Sequence, residues 1–344
     1  MLGREDICID LGTASVLVYC KGRGVVLREP AIVAVDRSTR NILTVGDEAK
    51  RMLGRTPANI LTIRPLQDGS ISDFDLTERM LKYFIRKVIG NRMIFHPRAI
   101  VCVPSGVTDV EKRSVLDAML DAGARRTQLM DSAVAGALGA GLDVSGPYGH
   151  MIVDIGGGVT DITVVSLDRA IVRKTVKVAG DRFDETIIRY LRRKYNLVLG
   201  ERTAEELKLT IGAVVSRTEK LFMDVTGRNL VSGLPKTLRV HSDEIYEALE
   251  EPVQALVEDV HSVLERTPPE LAADIFDHGI HLIGAGAQLF GLGESLTKQL
   301  KVNCRLAEDP QACVAMGAGR AMESEGRYER AMFTGRRAKR IASA

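Results

Sequence analysis

From Ile7 to Cys20 the chain reads ICIDLGTASVLVYC: two runs of apolar, largely β-branched residues broken by a short polar turn. Such runs predict buried strands, and so short a turn makes them antiparallel neighbours. Residues 151–166, MIVDIGGGVTDITVVS, repeat the same order. A strand ends in an aspartate (Asp10, then Asp154), glycine occupies the turn (Gly12, then Gly156 to Gly158), and a second strand starts at Val16 or Ile162. Each copy is followed by a third strand, AIVAVD after the first and AIVRKTVKV after the second.

The apolar period then lengthens. Met80, Leu81, Phe84, Ile85 and Val88 recur at helical spacing within FDLTERMLKYFIRKVIG (74–90), AIVCVP (99–104) reads as a strand, and TDVEKRSVLDAMLDAG (108–123) reads as a helix ending at Gly123. In the second half TPPE predicts a helix start, with Thr267 as N-cap, prolines in the first turn and Glu270 closing a capping box. The strand IHLIGAG (280–286) and the helix LFGLGESLTKQL follow. Two halves with one order of elements predict an α/β fold of two similar domains, a duplicated βββαβα topology, facing each other. LDVSGPYGH (142–150) has the composition of the linker between them, and the stretches where the halves differ, 33–72 and 182–245, are expected to be smaller inserted subdomains.

A length of 344 residues is enough for about two domains. The formal charge of +2 gives no reason to expect a nucleic-acid partner. Five scattered cysteines, without paired metal-ligand spacing, predict buried thiols in a reducing compartment. MLGREDICIDLG lacks a leader pattern, and no run reaches the 18 or so apolar residues of a spanning helix, so a cytoplasmic chain is expected.

Glycine turns let backbone N–H groups approach an anion closely, and phosphate is the obvious guest. A strand-end aspartate repels bare phosphate, so a divalent ion between carboxylate and ligand is implied, held largely through water as Mg²⁺ prefers. A single Asp-x-Gly turn is ordinarily structural; its duplication argues for a phosphate clamp between two hairpins. No G-x-x-x-x-G-K-[ST] segment is present, which excludes a P-loop. Two weaker signals are a glycine cluster in LIGAGAQLFGL (282–292) and GERTAEELKLTIG (200–212), where Glu205 and Lys208 share a helix face; an i,i+3 ion pair in solvent is the plain alternative for the second.

Together these segments resemble the actin, heat-shock chaperone and sugar kinase superfamily, and more narrowly the bacterial actins of the MreB and Mbl family that determine rod shape. DLGTASVLVY is similar to the first phosphate motif, DIGGGVTDI to the second, and GERTAEELK and IGAGAQL to the adenosine-binding elements; the likeness runs from Asp6 to Met322. It implies an actin-like ATPase fold that binds ATP and Mg²⁺ in a nucleotide cleft and polymerises with itself. Subdomain IA would comprise 1–32, 73–145 and about 320–338, IB 33–72, IIA 146–181 and 246–319, and IIB 182–245. By matching position, Gly12, Thr13, Ala14 and Ser15 would contact phosphate with the backbone of Gly156, Gly157 and Gly158. Asp10 and Asp154 would hold hydrated Mg²⁺, and Thr160 and Asp161 would lie near the γ-phosphate and its water. Glu205 and Lys208 would lie near ribose and base, and Gly284, Ala285, Gly286, Ala287 and Gln288 against adenine.

Three departures stand out. Ser15 replaces the family's usual Asn. In LMDSAVAGALGAGL the positions of Glu-Glu-Pro are held by Asp131, Ser132 and Ala133, so a neutral hydroxyl stands where relatives carry the carboxylate that prepares the attacking water. Losing such a group typically costs about 10²- to 10⁴-fold in rate, which predicts ATP binding with slow hydrolysis. Ser132 also suits the N-cap of the following helix, and Asp131 sits one residue early. Ala285, for the usual glycine, narrows the adenine slot.

In RMIFHPR (92–98) the resemblance turns Met93, Ile94 and Phe95 into a membrane loop; without it, capping of the local core is the plainer reading. The tail FTGRRAKRIASA, with four basic residues and no acid, is expected to be solvated (334–344) and to add attraction to anionic lipid of about 1 kcal/mol per basic residue near the surface. The implied setting is the inner face of the cell membrane, with cell-wall elongation proteins as partners. A small-molecule kinase and a chaperone-like ATPase are the alternatives on this fold; the chain shows no additional kinase motif and no peptide-binding domain.

Overall fold

The computed structural model describes residues 6–90, 96–324 and 326–333. The first half opens with the antiparallel meander β1 (Ile7–Leu11), β2 (Ser15–Cys20) and β3 (Gly24–Pro30). An insertion follows: β4 (Val33–Asp36), β5 (Ile42–Val45), α1 (Asp47–Met52), β6 (Ile60–Ile63) and the short hairpin β7 (Leu66–Gln67) and β8 (Ser70–Ile71). The half closes with α2 (Phe74–Ile89), β9 (Arg98–Val103), α3 (Asp109–Asp121), β10 (Arg126–Asp131) and α4 (Ser132–Gly139). The second half repeats the meander in β11 (His150–Ile155), β12 (Thr160–Ser166) and β13 (Arg169–Val176). It continues through α5 (Gly180–Tyr195), β14 (Leu197–Val198), α6 (Glu201–Ile211), β15 (Phe222–Asn229), β16 (Pro235–His241), α7 (Ser242–Glu265) and α8 (Pro269–His278). Last come β17 (Ile280–Ile283), a 3₁₀ turn at Ala285–Gln288, α9 (Leu292–Leu300), β18 (Cys304–Leu306), α10 (Cys313–Glu323) and β19 (Met332–Phe333).

The two main sheets have one strand order. β10-β9-β1-β2-β3, with β19 added beside β10, corresponds strand for strand to β18-β17-β11-β12-β13. In each, the first meander strand pairs antiparallel with the second and parallel with the strand that follows the helices. Each half also carries one more strand–helix pair beyond βββαβα, β10–α4 and β18–α10. The inserted stretches hold separate three-stranded sheets, β5-β4-β6 and β14-β15-β16.

Three local expectations are corrected. AIVAVD is not the third meander strand: Gly24–Pro30 takes that place beside β2, and AIVAVD supplies β4 of the inserted sheet. The stretch Gly24–Pro30 carries Arg28 and Glu29 just before its end, whose charges find Asp309 and Lys87, so its pattern is less apolar than an interior strand's. Helix α8 begins one residue later than TPPE suggests. Pro268 is its N-cap without a side-chain cap, while the Thr267 hydroxyl donates to Val263 O at 2.8 Å. The N-terminus of α4 is treated with the site below.

Alternation along the strands decides what faces what. Ile7, Ile9 and Leu11 pack with α2 and α3 residues in one core, and Met151, Val153 and Ile155 pack in the other. Cys8 and Ile152, on the opposite faces, enter a third cluster between the halves. Period-two geometry therefore points Asp10 and Asp154 towards that shared layer. Its filling is α4, packed on β11 and β12, and α10, packed on β1, β2 and β9. These two helices approach so closely that a β-carbon at Gly317 would fall 1.7 Å from Ala135 O, and one at Gly139 would fall 1.8 Å from Cys313 O. All five cysteines are buried, as expected, and no disulfide joins any of them.

Candidate functional site

The two glycine turns are built alike and face each other. Gly12 N donates to Ser15 O at 3.1 Å, and Gly156 N donates to Val159 O at 3.0 Å. Glycine is required where they meet: a β-carbon on Gly157 would come within 2.3 Å of the Ala14 β-carbon, and one on Gly158 within 2.7 Å of Thr13 Cγ2. Thr13 Oγ1 also accepts from Gly69 N at 3.0 Å, tying the first turn to the β7–β8 hairpin.

Behind the turns lie three inward aspartates. Burial pushes Asp10 up to about 7. Burial, then repulsion from Asp10 and Asp161, raises Asp154 well above the usual carboxylate range. Asp161 stands opposite Asp154 in the β11–β12 register and is raised to about 6, chiefly by burial, although the Thr175 hydroxyl donates to it and pulls the other way. Such buried, mutually repelling carboxylates are stabilised by a cation. Among the described residues no group of three or more His, Cys, Asp or Glu is arranged to hold a metal ion. Carboxylate oxygens are hard donors, so Asp10 and Asp154 could hold a hard cation that takes its other ligands from water and a bound anion.

The cleft that opens over these groups has a volume of about 200 Å³. Its walls include both glycine turns, Asp10, Ser132, Asp154, Asp161, Gly180, Asp181, Asp184, Glu205, Lys208, Leu209 and Gly284 to Gly286 from the second half's third glycine cluster. Glu205 and Lys208 do not pair with each other, contrary to the plain alternative: Glu205 accepts from Lys50, and Lys208 Nζ donates to Asp184 Oδ2 at 2.8 Å and Gly180 O at 2.9 Å. Burial pushes Asp184 up to about 6 against the pull of Lys208. The lining carboxylates Asp10, Asp154, Asp161, Asp181, Asp184 and Glu205 outnumber the cations Lys50, Arg64 and Lys208. A polyanion entering alone would meet net repulsion; with a divalent ion it would not.

At the start of α4 the helix cap is Asp131, not Ser132. The Asp131 carboxylate accepts from Ala133 N at 2.9 Å and from the Ser105 hydroxyl at 2.6 Å, which holds it at the helix end. An aspartate is the better cap when it can reach the second helical N–H, and here it outcompetes the serine one residue on. Ser132 instead is the first helical residue; it lines the cleft, and its buried hydroxyl oxygen has no hydrogen-bond partner among the described residues.

Of the other sequence-derived candidates, Asp131, Thr160, Ala287 and Gln288 do not line the cleft; the Thr160 hydroxyl donates to Val178 O at 2.6 Å. Met93, Ile94 and Phe95, and the tail 334–344, lie outside the described residues. Sequence reasoning missed Lys50, Arg64, Asp181, Asp184, Pro310 and Gln311 on the walls. The acidic pair in GDRFDE, directly after the third strand of the second half, was a usable signal for Asp181 and Asp184.

Duplicated halves with matching sheets, closed over a shared cleft by paired hairpins, define an actin-like fold. The chain belongs to the MreB/Mbl family: the family model described as MreB/Mbl protein matches residues 4–330. It is 47% identical over 324 residues to the cell shape-determining protein MreB of Escherichia coli (strain K12), covering 93% of each chain. It is 46% identical over 315 residues to the cell shape-determining protein Mbl of Bacillus subtilis (strain 168), covering 92% of this chain and 95% of that one. The crystal structure of MreB5 of Spiroplasma citri bound to ADP matches with a TM-score of 0.90 at 34% identity, over 95% of this chain and 98% of that one. The same protein bound to AMPPNP gives 0.89 at 33%, over 96% and 99%. The MamK double helical filament gives 0.79 at 22%, over 94% and 99%, a likeness of fold.

Proposed function

We propose that this protein binds ATP with Mg²⁺ in the cleft and polymerises, at the inner face of the cell membrane, into filaments that organise wall elongation and maintain rod shape. The observation that carries the nucleotide reading is the close approach of Gly157 and Gly158 to Ala14 and Thr13, in front of the partly buried Asp10 and Asp154. The ADP- and AMPPNP-bound relatives support it. Relatives named for determining cell shape support the cellular role. The chain is taken as the four subdomains bounded above, with the separate sheets of the inserted stretches in favour of that division.

The turns' N–H groups and the Thr13 and Ser15 hydroxyls hold phosphate, Asp10 and Asp154 hold the hydrated ion, and Glu205 and Lys208 orient the adenosine. The ion supplies charge neutralisation between carboxylates and phosphate. Asp161 borders the water near the γ-phosphate. Ser132 cannot take a proton at neutral pH, and Asp131 is committed to its cap, so hydrolysis is slow. The exposed methyl of Ala285 lies on the adenine wall and weakens affinity slightly. Membrane contact runs through Ile94 and Phe95, helped by the basic tail and multiplied along a filament. Among the described residues no helix is long and apolar enough to cross a membrane.

The test is sedimentation and negative-stain imaging with Mg²⁺ and ATP, ADP or no nucleotide, with and without anionic vesicles. Filaments dependent on nucleotide and recruited to vesicles are expected. Nucleotide turnover stimulated by a sugar, without any polymer, would favour the kinase alternative instead.

A further inference from the structure

Two ion pairs cross the mouth of the cleft. Lys50 Nζ of α1 donates to Glu205 Oε1 of α6 at 2.8 Å, and Arg64 Nη1, just beyond β6, donates to Asp181 Oδ1 at the start of α5 at 2.8 Å. A third pair, Lys177 with Asp68 at 2.6 Å, lies in a more exposed position. The first two differ from surface pairs in what they engage. Glu205 and Asp181 both line the cleft, and the Asp181 amide donates to Gly157 O at 2.8 Å, inside the second glycine turn. Arg64 also sits in the field of Glu201 and Glu205. The inserted sheet of the first half is thus fastened to the second half through groups that belong to the binding site.

We propose that Lys50 and Arg64 are further residues of the nucleotide site and act as a latch: Lys50 competes with the ribose hydroxyls for Glu205, and Arg64 exchanges Asp181 for phosphate when the ligand enters. This rests on the nucleotide reading above. A ligand must part both pairs to enter or leave, so they slow exchange. Occupancy then frees the inserted sheet from α6 while turning two lining cations, Lys50 and Arg64, from their carboxylate partners towards the ligand. Screening weakens such partly exposed pairs, so exchange through the latch speeds up with salt.

The test uses the full chain. Release of etheno-ATP, fluorescent through its base and unmodified on the ribose, is followed by stopped flow for the wild type, Lys50→Met, Arg64→Gln and the double variant. Each single change is expected to speed release about twofold to fivefold, and the double variant is expected to lose the salt acceleration seen in wild type. In parallel, spin labels at Arg51→Cys and Glu206→Cys, both exposed while the native cysteines are buried, report the width of the mouth without nucleotide. Lys50→Met is expected to broaden and lengthen that distance distribution. Equal distances in wild type and Lys50→Met, or release rates indifferent to both substitutions, overturn the latch. Failure of wild type to take up etheno-ATP overturns the nucleotide reading and the competition with it, and the label distances alone then decide whether the two pairs hold the mouth shut.

Discussion

Asp10, Asp154 and Ser132 concentrate the residue-scale chemistry. An aspartate in an unfolded chain titrates near 4, whereas Asp10 is pushed up to about 7, Asp161 to about 6, and Asp154 upward as well. Between those limits the folded state binds more protons than the unfolded one. The contribution of Asp10 and Asp161 is therefore fully present below about pH 4 and is lost as pH rises through about 6 for Asp161 and about 7 for Asp10, and that of Asp154 changes in the same direction. Without metal, Asp154→Asn is expected to be more stable than wild type above neutrality and to lose that advantage towards pH 4, as urea unfolding across the pH range would read. The same variant should lose magnesium-dependent tightening of nucleotide binding. A stability difference that does not vary with pH would refute the coupling. Ser132 offers the opposite experiment: Ser132→Glu restores a base beside the cleft and is expected to raise phosphate release by about 10²-fold. Release no faster than wild type would show that the missing carboxylate is not what limits hydrolysis.

Among the elements, α4 and α10 set the spacing of the two halves. Gly139 and Gly317 allow backbone-to-backbone approach at their crossing, and a methyl at 317 would collide with the Ala135 carbonyl and the Gly139 amide nitrogen, both backbone groups. Gly317→Ala is expected to destabilise by about 1–3 kcal/mol through forced separation of the helices, measurable as a lowered denaturation midpoint. Because α10 lies on the first half's sheet and α4 on the second's, the variant should also alter nucleotide affinity; unchanged stability and affinity would mean that the crossing is not under packing constraint. Periodicity revealed α2 and α3 almost to the residue, since Met80, Leu81, Phe84 and Ile85 form one buried stripe and Thr108 and Glu111 complete a capping box. It failed at β3, whose Arg28 and Glu29 are satisfied by Asp309 and Lys87 far along the chain and beyond any local pattern.

For the whole molecule, the consequence of this architecture is that the ligand and the relative position of the halves are one equilibrium. The hairpins, one from each half, meet across the cleft, and the ion pairs Lys50–Glu205 and Arg64–Asp181 join its two sides; under the proposed latch they would bias closure before a ligand enters. Any ligand that binds the closed arrangement better shifts the population by its differential affinity. On the proposed function, subunit shape would thereby be linked to nucleotide, which is what a filament needs if assembly is to follow it. Sedimentation that responded to ionic strength but not to nucleotide would break that link.

Sequence by itself determined the duplicated hairpins, the family, and the place of Asp10 and Asp154 at strand ends beside the glycine turns. Strand alternation and glycine turns are local rules that a short window of residues obeys whatever surrounds it. Tertiary structure alone decided that Asp131 rather than Ser132 caps α4, that Glu205 and Lys208 take separate partners, and that Lys50 and Arg64 reach across the cleft. Each of those outcomes is a competition between a nearby partner and one brought close only by folding. For Lys208 and Asp184, both largely out of solvent, the distant group wins because burial removes water as the alternative, and no spacing along the chain records which partner that will be.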